Sequence, residues 1–306
     1  MFRSLVSSRL FVVLITMAGI VACSPTATTS SSNVLAAETF LADMAQNVAG
    51  DKMKIDALMP LGVDPHEFEP TPADIKKISD SRILILNGAG FEESMEKVIA
   101  KAGGKHITIE ASQGLTSRTL GANEIRDASH PGDPHFWLAP NNTIKYVENI
   151  RDGLSQADPT NAATYATNAN AYIAQLKELD QWIASQVSQV PTEHRVMVTN
   201  HESLGYFADR YGFKIVGTVI PSVSTGASPS AQQLAQLIDR IKTSKAPAIF
   251  LETGANPQLA KQLAQDTGIK VVTDLYTHSI TEKNGPAPTY IEMMKHNTTT
   301  IVNALK

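Results

Sequence analysis

The chain has 306 residues, 30 acidic against 26 basic side chains and a formal net charge of −4. That balance offers no basic face to neutralise phosphates and excludes nucleic acid as a partner. With 42% hydrophobic residues and a single cysteine, stability must come from buried apolar cores, in a chain long enough for two modest domains, and not from disulfides.

Residues 1–22 read as a secretory leader. The stretch MFRSLVSSR carries two arginines and no acid, and the apolar run LFVVLITMAGIV that follows is too short to span a bilayer as a helix. Small residues then precede the only cysteine, in IVAC. This resembles a bacterial lipobox, which implies that Cys23 becomes a lipidated N-terminus and anchors the protein to a membrane without a spanning helix. The Ser/Thr-rich stretch over residues 23–33 is then a flexible tether.

Residues 34–157 predict an N-terminal α/β lobe and residues 191–306 a C-terminal one. Two stretches, Pro70–Ser112 and Pro229–Asp274, share one layout: helix, short apolar strand (ILIL or AIFL), Gly-containing turn, helix, then Gly-Lys or Gly-x-Lys into another strand. Short apolar strands alternating with helices signal parallel sheets covered on both faces. Between the lobes, residues 158–190 predict one long helix. Asp158 suits the N-cap and Pro159 the first turn. Tyr165, Tyr172, Leu176, Leu179, Ile183, Val187 and Val190 then form a helical stripe that ends at Pro191. Such a helix would be roughly 46 Å long at 1.5 Å per residue, long enough to join two lobes.

Ligands of open parallel sheets bind beyond the carboxyl ends of the strands. His66 in DPHEFEP, His135 in DPHFWLAP, His201 with Glu202 after the strand RVMVT, and Asp274 at the end of KVVTD all fall in such positions. Proline ahead of His66 and His135 restricts Asp64 and Asp133 and stiffens each loop. Three imidazoles and a carboxylate complete a tetrahedral set for a divalent transition metal. Any one of these histidines alone reads first as a polar surface or capping residue; it is four candidates in matching places that point to a metal. Glu252, ending AIFLE, suits either an outer partner of a ligand imidazole or a helix cap. His106, His194, His278 and His296 are expected to be exposed.

The motifs DPHEFEPTPADI, DPHFWLAP, NHESLGYFADRYGF and PTYIEMMKHNTTTIVNAL resemble those of the TroA-like solute-binding proteins, the metal-binding lipoproteins of ABC importers for zinc and manganese. The resemblance covers essentially all of the chain after the tether. It implies two Rossmann-like lobes with parallel sheets joined by one long helix, a metal held in the cleft between them by His66, His135, His201 and Asp274, and an ABC permease as partner. It also implies an extracytoplasmic, lipid-anchored monomer that is not an enzyme. Zinc-binding relatives carry histidine at the third position and manganese-selective ones often glutamate, so His201 points to zinc, and Glu202 would replace it only if the register shifted by one. Many zinc members carry a His-rich loop before the second histidine, where this chain offers only His130 as an accessory ligand. Manganese is the alternative cargo. A zinc hydrolase using Glu202 or Glu252 as base is a further reading, but no His-Glu-x-x-His helix supports it.

Overall fold

A computed structural model describes Met1, residues 34–119 and residues 132–306, with backbone alone for Ser94 and Glu96. The leader, Cys23, the tether and His130 lie outside the described residues. Two four-stranded sheets organise the rest. The first contains β1 (Val34–Ala36), β2 (Ile55–Ala57), β3 (Ile83–Leu86) and β4 (Ile107–Glu110), in the order β2-β1-β3-β4. The second contains β5 (Val196–Thr199), β6 (Lys214–Thr218), β7 (Ala248–Glu252) and β8 (Lys270–Leu275), in the equivalent order β6-β5-β7-β8. Every neighbouring pair is parallel. The central strands are apolar on both faces: Ile83, Leu84 and Ile85 are buried, as are Ala248, Ile249, Phe250 and Leu251, which is what helical cover on both sides demands.

Nine helices provide that cover among the described residues: α1 (Thr39–Ala49), α2 (Pro72–Asp80), α3 (Glu93–Ala102), α4 (Pro140–Ala157), α5 (Ala162–Val187), α6 (Gly205–Tyr211), α7 (Ala231–Ser244), α8 (Gln258–Thr267) and α9 (Tyr290–Leu305). The paired layouts seen in the sequence both begin with a capping box. Thr71 and Asp74 open α2, and Ser230 and Gln233 open α7, each side chain bonding the other residue's backbone amide. Among the described residues, no helix is long and apolar enough to cross a membrane.

Alternate strand residues feed different cores. Leu35 and Leu84 face an outer core with Leu58, Phe68, Ile78 and Met95. Val198, Ile249 and Leu251 face a second outer core with Leu237 and Leu263. The inner faces share a third core, in which Ala36, Ile83 and Ile85 of the first sheet join Met197 and Phe250 of the second through Phe40, Trp137, Tyr172 and Tyr290.

The long helix is shorter than its sequence suggests. Pro159–Asn161 form a separate 3₁₀ turn, and α5 starts at Ala162. Asp158 does not cap it: its Oδ2 accepts the Asn161 Nδ2–H and Tyr165 O–H bonds, each 2.7 Å, and so is unavailable to the first amides. At 26 residues, α5 is about 39 Å long. It packs against α1, α4 and α9 through the expected stripe, of which Tyr165, Tyr172, Leu176, Leu179, Ile183 and Val187 are buried on α5 and Val190 just beyond its end.

One glycine in a connecting turn has no substitute. Gly104 has φ +91°, and a Cβ there would stand 2.6 Å from the Ser79 carbonyl oxygen. Gly104→Ala is expected to destabilise the chain by about 1–3 kcal/mol or more, because both the left-handed strain and the backbone clash act against it. Urea unfolding measures this, and a loss below about 0.5 kcal/mol would show that the turn relaxes freely.

Candidate metal centre

The repeated Asp-Pro-His sequence builds the same device twice. Asp64 Oδ1 accepts the His66 backbone N–H at 3.0 Å, and Asp133 Oδ1 accepts that of His135 at 2.9 Å. Each aspartate thus closes an Asx turn around its proline and aims the following imidazole. The third histidine, His201, lies just past the end of β5. Its carbonyl accepts the Thr199 hydroxyl at 2.8 Å, and the neighbouring Glu202 N–H donates to Ser222 O at 2.9 Å.

Four imidazoles converge: one nitrogen from each of His66, His135, His201 and His278 lies within 4.8 Å of all the others. His66 Nε2 is 3.3 Å, and His201 Nε2 3.4 Å, from His135 Nε2. His135 Nδ1 donates to Asp133 Oδ1 at 2.9 Å and His201 Nδ1 donates to Glu252 Oε2 at 2.8 Å. Those bonds leave lone pairs on the facing Nε2 atoms of the neutral rings, which repel unless a proton or a metal ion sits between them. Zinc–imidazole bonds of about 2.0–2.1 Å in a tetrahedron place the nitrogens about 3.3 Å apart. The spacing and the lone pairs therefore fit a tetrahedral divalent cation.

Three of the four residues suggested by the sequence come together, and the fourth does not. Asp274 is exposed on β8, while His278, expected to be exposed, is buried and completes the cluster. The reason is the backbone at the strand end. Asp274 has φ 71°, a left-handed conformation that aspartate tolerates better than most residues. Its carbonyl accepts the His296 Nε2–H at 3.0 Å, and it is His278, four residues on, that reaches the cluster. Glu252 contacts the cluster from behind: besides His201, its carboxylate accepts Asn200 Nδ2–H at 3.1 Å and the Ser203 hydroxyl at 2.7 Å. Glu202 is buried but stands outside the four. Of the other histidines, His194 is exposed, and His106 and His296 are partly buried.

The surroundings keep two of the rings, His66 and His278, neutral. Burial, reinforced by the neighbouring His278 and His201 rings, holds the His66 pKa well below its ordinary value. Burial and His201 push His278 down to about 3. For His201, burial also acts downward, but the Glu252 carboxylate, with Asp64 and Asp133 behind it, outweighs it and leaves the pKa raised. Burial works against ionised Glu252, yet the His201 and His278 rings and the Ser203 hydroxyl bring it down to about 2. Phe91 packs edge-on to His66 at 5.0 Å and Trp137 lies 5.2 Å from His135, so the floor of the site is aromatic. On the other side a cavity of about 220 Å³, lined by Asp64, Glu67, Asn200, Glu252 and His278, opens between the two halves. Thr225 Oγ1 donates across it to Asp64 Oδ2 at 2.7 Å.

Known proteins share this arrangement of sheets along nearly the whole chain. The family described as zinc-uptake complex component A periplasmic (ZnuA) matches residues 34–304. The manganese-binding lipoprotein MntA of Halalkalibacterium halodurans is 34% identical over 267 residues, covering 87% of this chain and 86% of MntA. The iron-binding protein YfeA of Yersinia pestis is 32% identical, covering 94% and 91% respectively. The periplasmic zinc-binding protein TroA of Treponema pallidum superposes with a TM-score of 0.80 at 27% identity, covering 89% of this chain and 98% of TroA. The chain belongs to the ZnuA/TroA family, the metal-binding components of ABC importers.

Proposed function

We propose that the chain captures zinc outside the cytoplasmic membrane and delivers it to an ABC permease, with His66, His135, His201 and His278 as ligands. The observation that carries the choice of metal is the donor set: four imidazole nitrogens converge and no carboxylate oxygen is among them. Imidazole suits zinc, whereas manganese favours carboxylate and water oxygens and stands lowest in the divalent affinity series. Four protein ligands fill a tetrahedron and leave no position for an activated water, so the site holds an ion as cargo and is not a hydrolytic centre. Asp133 and Glu252 supply outer negative charge to two of the rings and set their tautomers. In this reading Cys23 carries the lipid anchor, and the protein acts as a monomer. The manganese and iron named for MntA and YfeA make the metal the point to test. In a competition titration against a chromophoric chelator, the chain is expected to bind one zinc and to keep it at equal concentrations of manganese. Manganese bound as tightly as zinc would overturn the assignment.

A further inference from the structure

The four imidazoles do not divide evenly between the halves of the chain. His66 and His135 extend from loops of the N-terminal half, and His201 follows β5. His278 follows β8, the last strand of the C-terminal sheet, yet that sheet does not hold it. The connection to the sheet ends one residue after β8 begins to turn: Thr253 N–H still donates to Leu275 O at 2.9 Å, and Tyr276 is paired through its N–H and C=O with the Asn297 side chain of α9. From Thr277 onward the partners change. Trp137 Nε1 donates to Thr277 O at 2.7 Å, Gly62 N–H donates to Ser279 Oγ at 2.9 Å, and Ile280 N–H donates to Thr39 Oγ1 at 3.1 Å. The Ser279 hydroxyl donates to Ile280 O at 2.8 Å. Thr39 therefore uses its own proton to bond Ser279 Oγ, 3.2 Å away. Thr39, Thr277 and Ser279 are all buried, so water does not replace these bonds when one is removed. His201, in contrast, is held by Thr199 and Glu252 of the C-terminal half.

Resting on the reading of the four histidines as ligands, we infer that His278 moves with the N-terminal half and that Thr39, at the start of α1, is the positioning residue that keeps it there. The ligands then divide three to one. A displacement of the two halves removes His201 alone from the ion and leaves it on a three-imidazole face with one coordination position open. Outer partners that orient metal ligands are typically worth 10–100-fold in affinity.

The test uses the intact chain loaded with cobalt(II) as a spectroscopic probe and with zinc for kinetics. Thr39→Val is expected to change the visible cobalt spectrum and to speed zinc loss into excess chelator by about tenfold, while Thr39→Ser retains the wild-type values. Ser279→Ala, which breaks the same contact from the other side, is expected to match Thr39→Val, and metal-free melting curves show that each variant is folded. Wild-type spectrum and release rate in Thr39→Val and Ser279→Ala, with both altered in His278→Ala, would overturn the positioning role and leave the ligand set standing. A cobalt spectrum unaffected by His278→Ala would overturn the ligand set itself.

Discussion

Replacing His278 by alanine is expected to weaken zinc binding by about 100-fold or more, whereas Asp274→Asn leaves it unchanged. A four-ligand zinc site is worth about 10–16 kcal/mol in total. One ligand then accounts for roughly 2.5–4 kcal/mol, or about two to three powers of ten in Kd. Asp274 is exposed and outside the cluster, and asparagine removes its charge while tolerating the φ of 71°. A third variant, His278→Asp, introduces an oxygen donor and is expected to shift the balance toward manganese. Competition titrations of the three variants decide the matter. Zinc affinity that falls in Asp274→Asn and holds in His278→Ala would return the fourth position to Asp274.

A second large effect lies away from the metal centre. Glu38 and Glu92 are both buried. Burial raises both pKa values, Glu92 to about 7 despite the amides of Asn87 and Gly88 that bond its carboxylate, and Glu38 well above its ordinary value, where Glu92 adds to the effect. The folded chain therefore holds a proton that the unfolded chain releases near pH 4.5. A group with a raised carboxyl pKa binds more protons folded than unfolded, so stability is fully present below about pH 4.5 and is lost as pH rises. One such proton corresponds to about 1.4 kcal/mol per pH unit, or about 3 kcal/mol between pH 5 and 7. The lowered pKa values of His66 and His278 act with the opposite sign, removing stability as pH falls below 6.5. Comparing wild type with Glu38→Gln cancels that contribution. Denaturant unfolding of the metal-free proteins is expected to show Glu38→Gln gaining on wild type by a few kcal/mol over this range. Parallel pH profiles would show that the pair is ionised in both states.

Much of this was legible in the sequence because local chemistry decides it. Runs such as ILIL and AIFL are too short and apolar to be anything but buried strands between helices, and the sheets follow. Asp-Pro-His announces a stiff loop without naming the Asx turn that completes it. The difference at Asp274, which stands outside the cluster, has another origin. A strand ending in aspartate looks like a ligand position, and the left-handed turn at that residue carries no local signal. His278, between Thr277 and Ser279, looks like part of a solvated loop. Its burial is imposed by Thr39, Gly62 and Trp137, contacts made across more than a hundred residues that no window of sequence contains. The Glu38–Glu92 pair is hidden for the same reason, since each glutamate alone reads as surface.

The third core, shared by both sheets, sets how the ion can leave. Phe40, Trp137, Tyr172, Phe207, Phe250 and Tyr290 belong to it together, so no solvent-filled joint separates the two halves below the cleft. Prising them apart as rigid bodies would wet aromatic side chains that bury about 150–250 Å² each, at about 25 cal/mol per Å² of apolar surface. Two such rings alone would oppose the motion by roughly 8–12 kcal/mol, as much as many whole domains have to hold them folded. Unloading then calls for a small shift at the rim, enough to draw His201 off the ion, with the shared core staying dry as the ion departs.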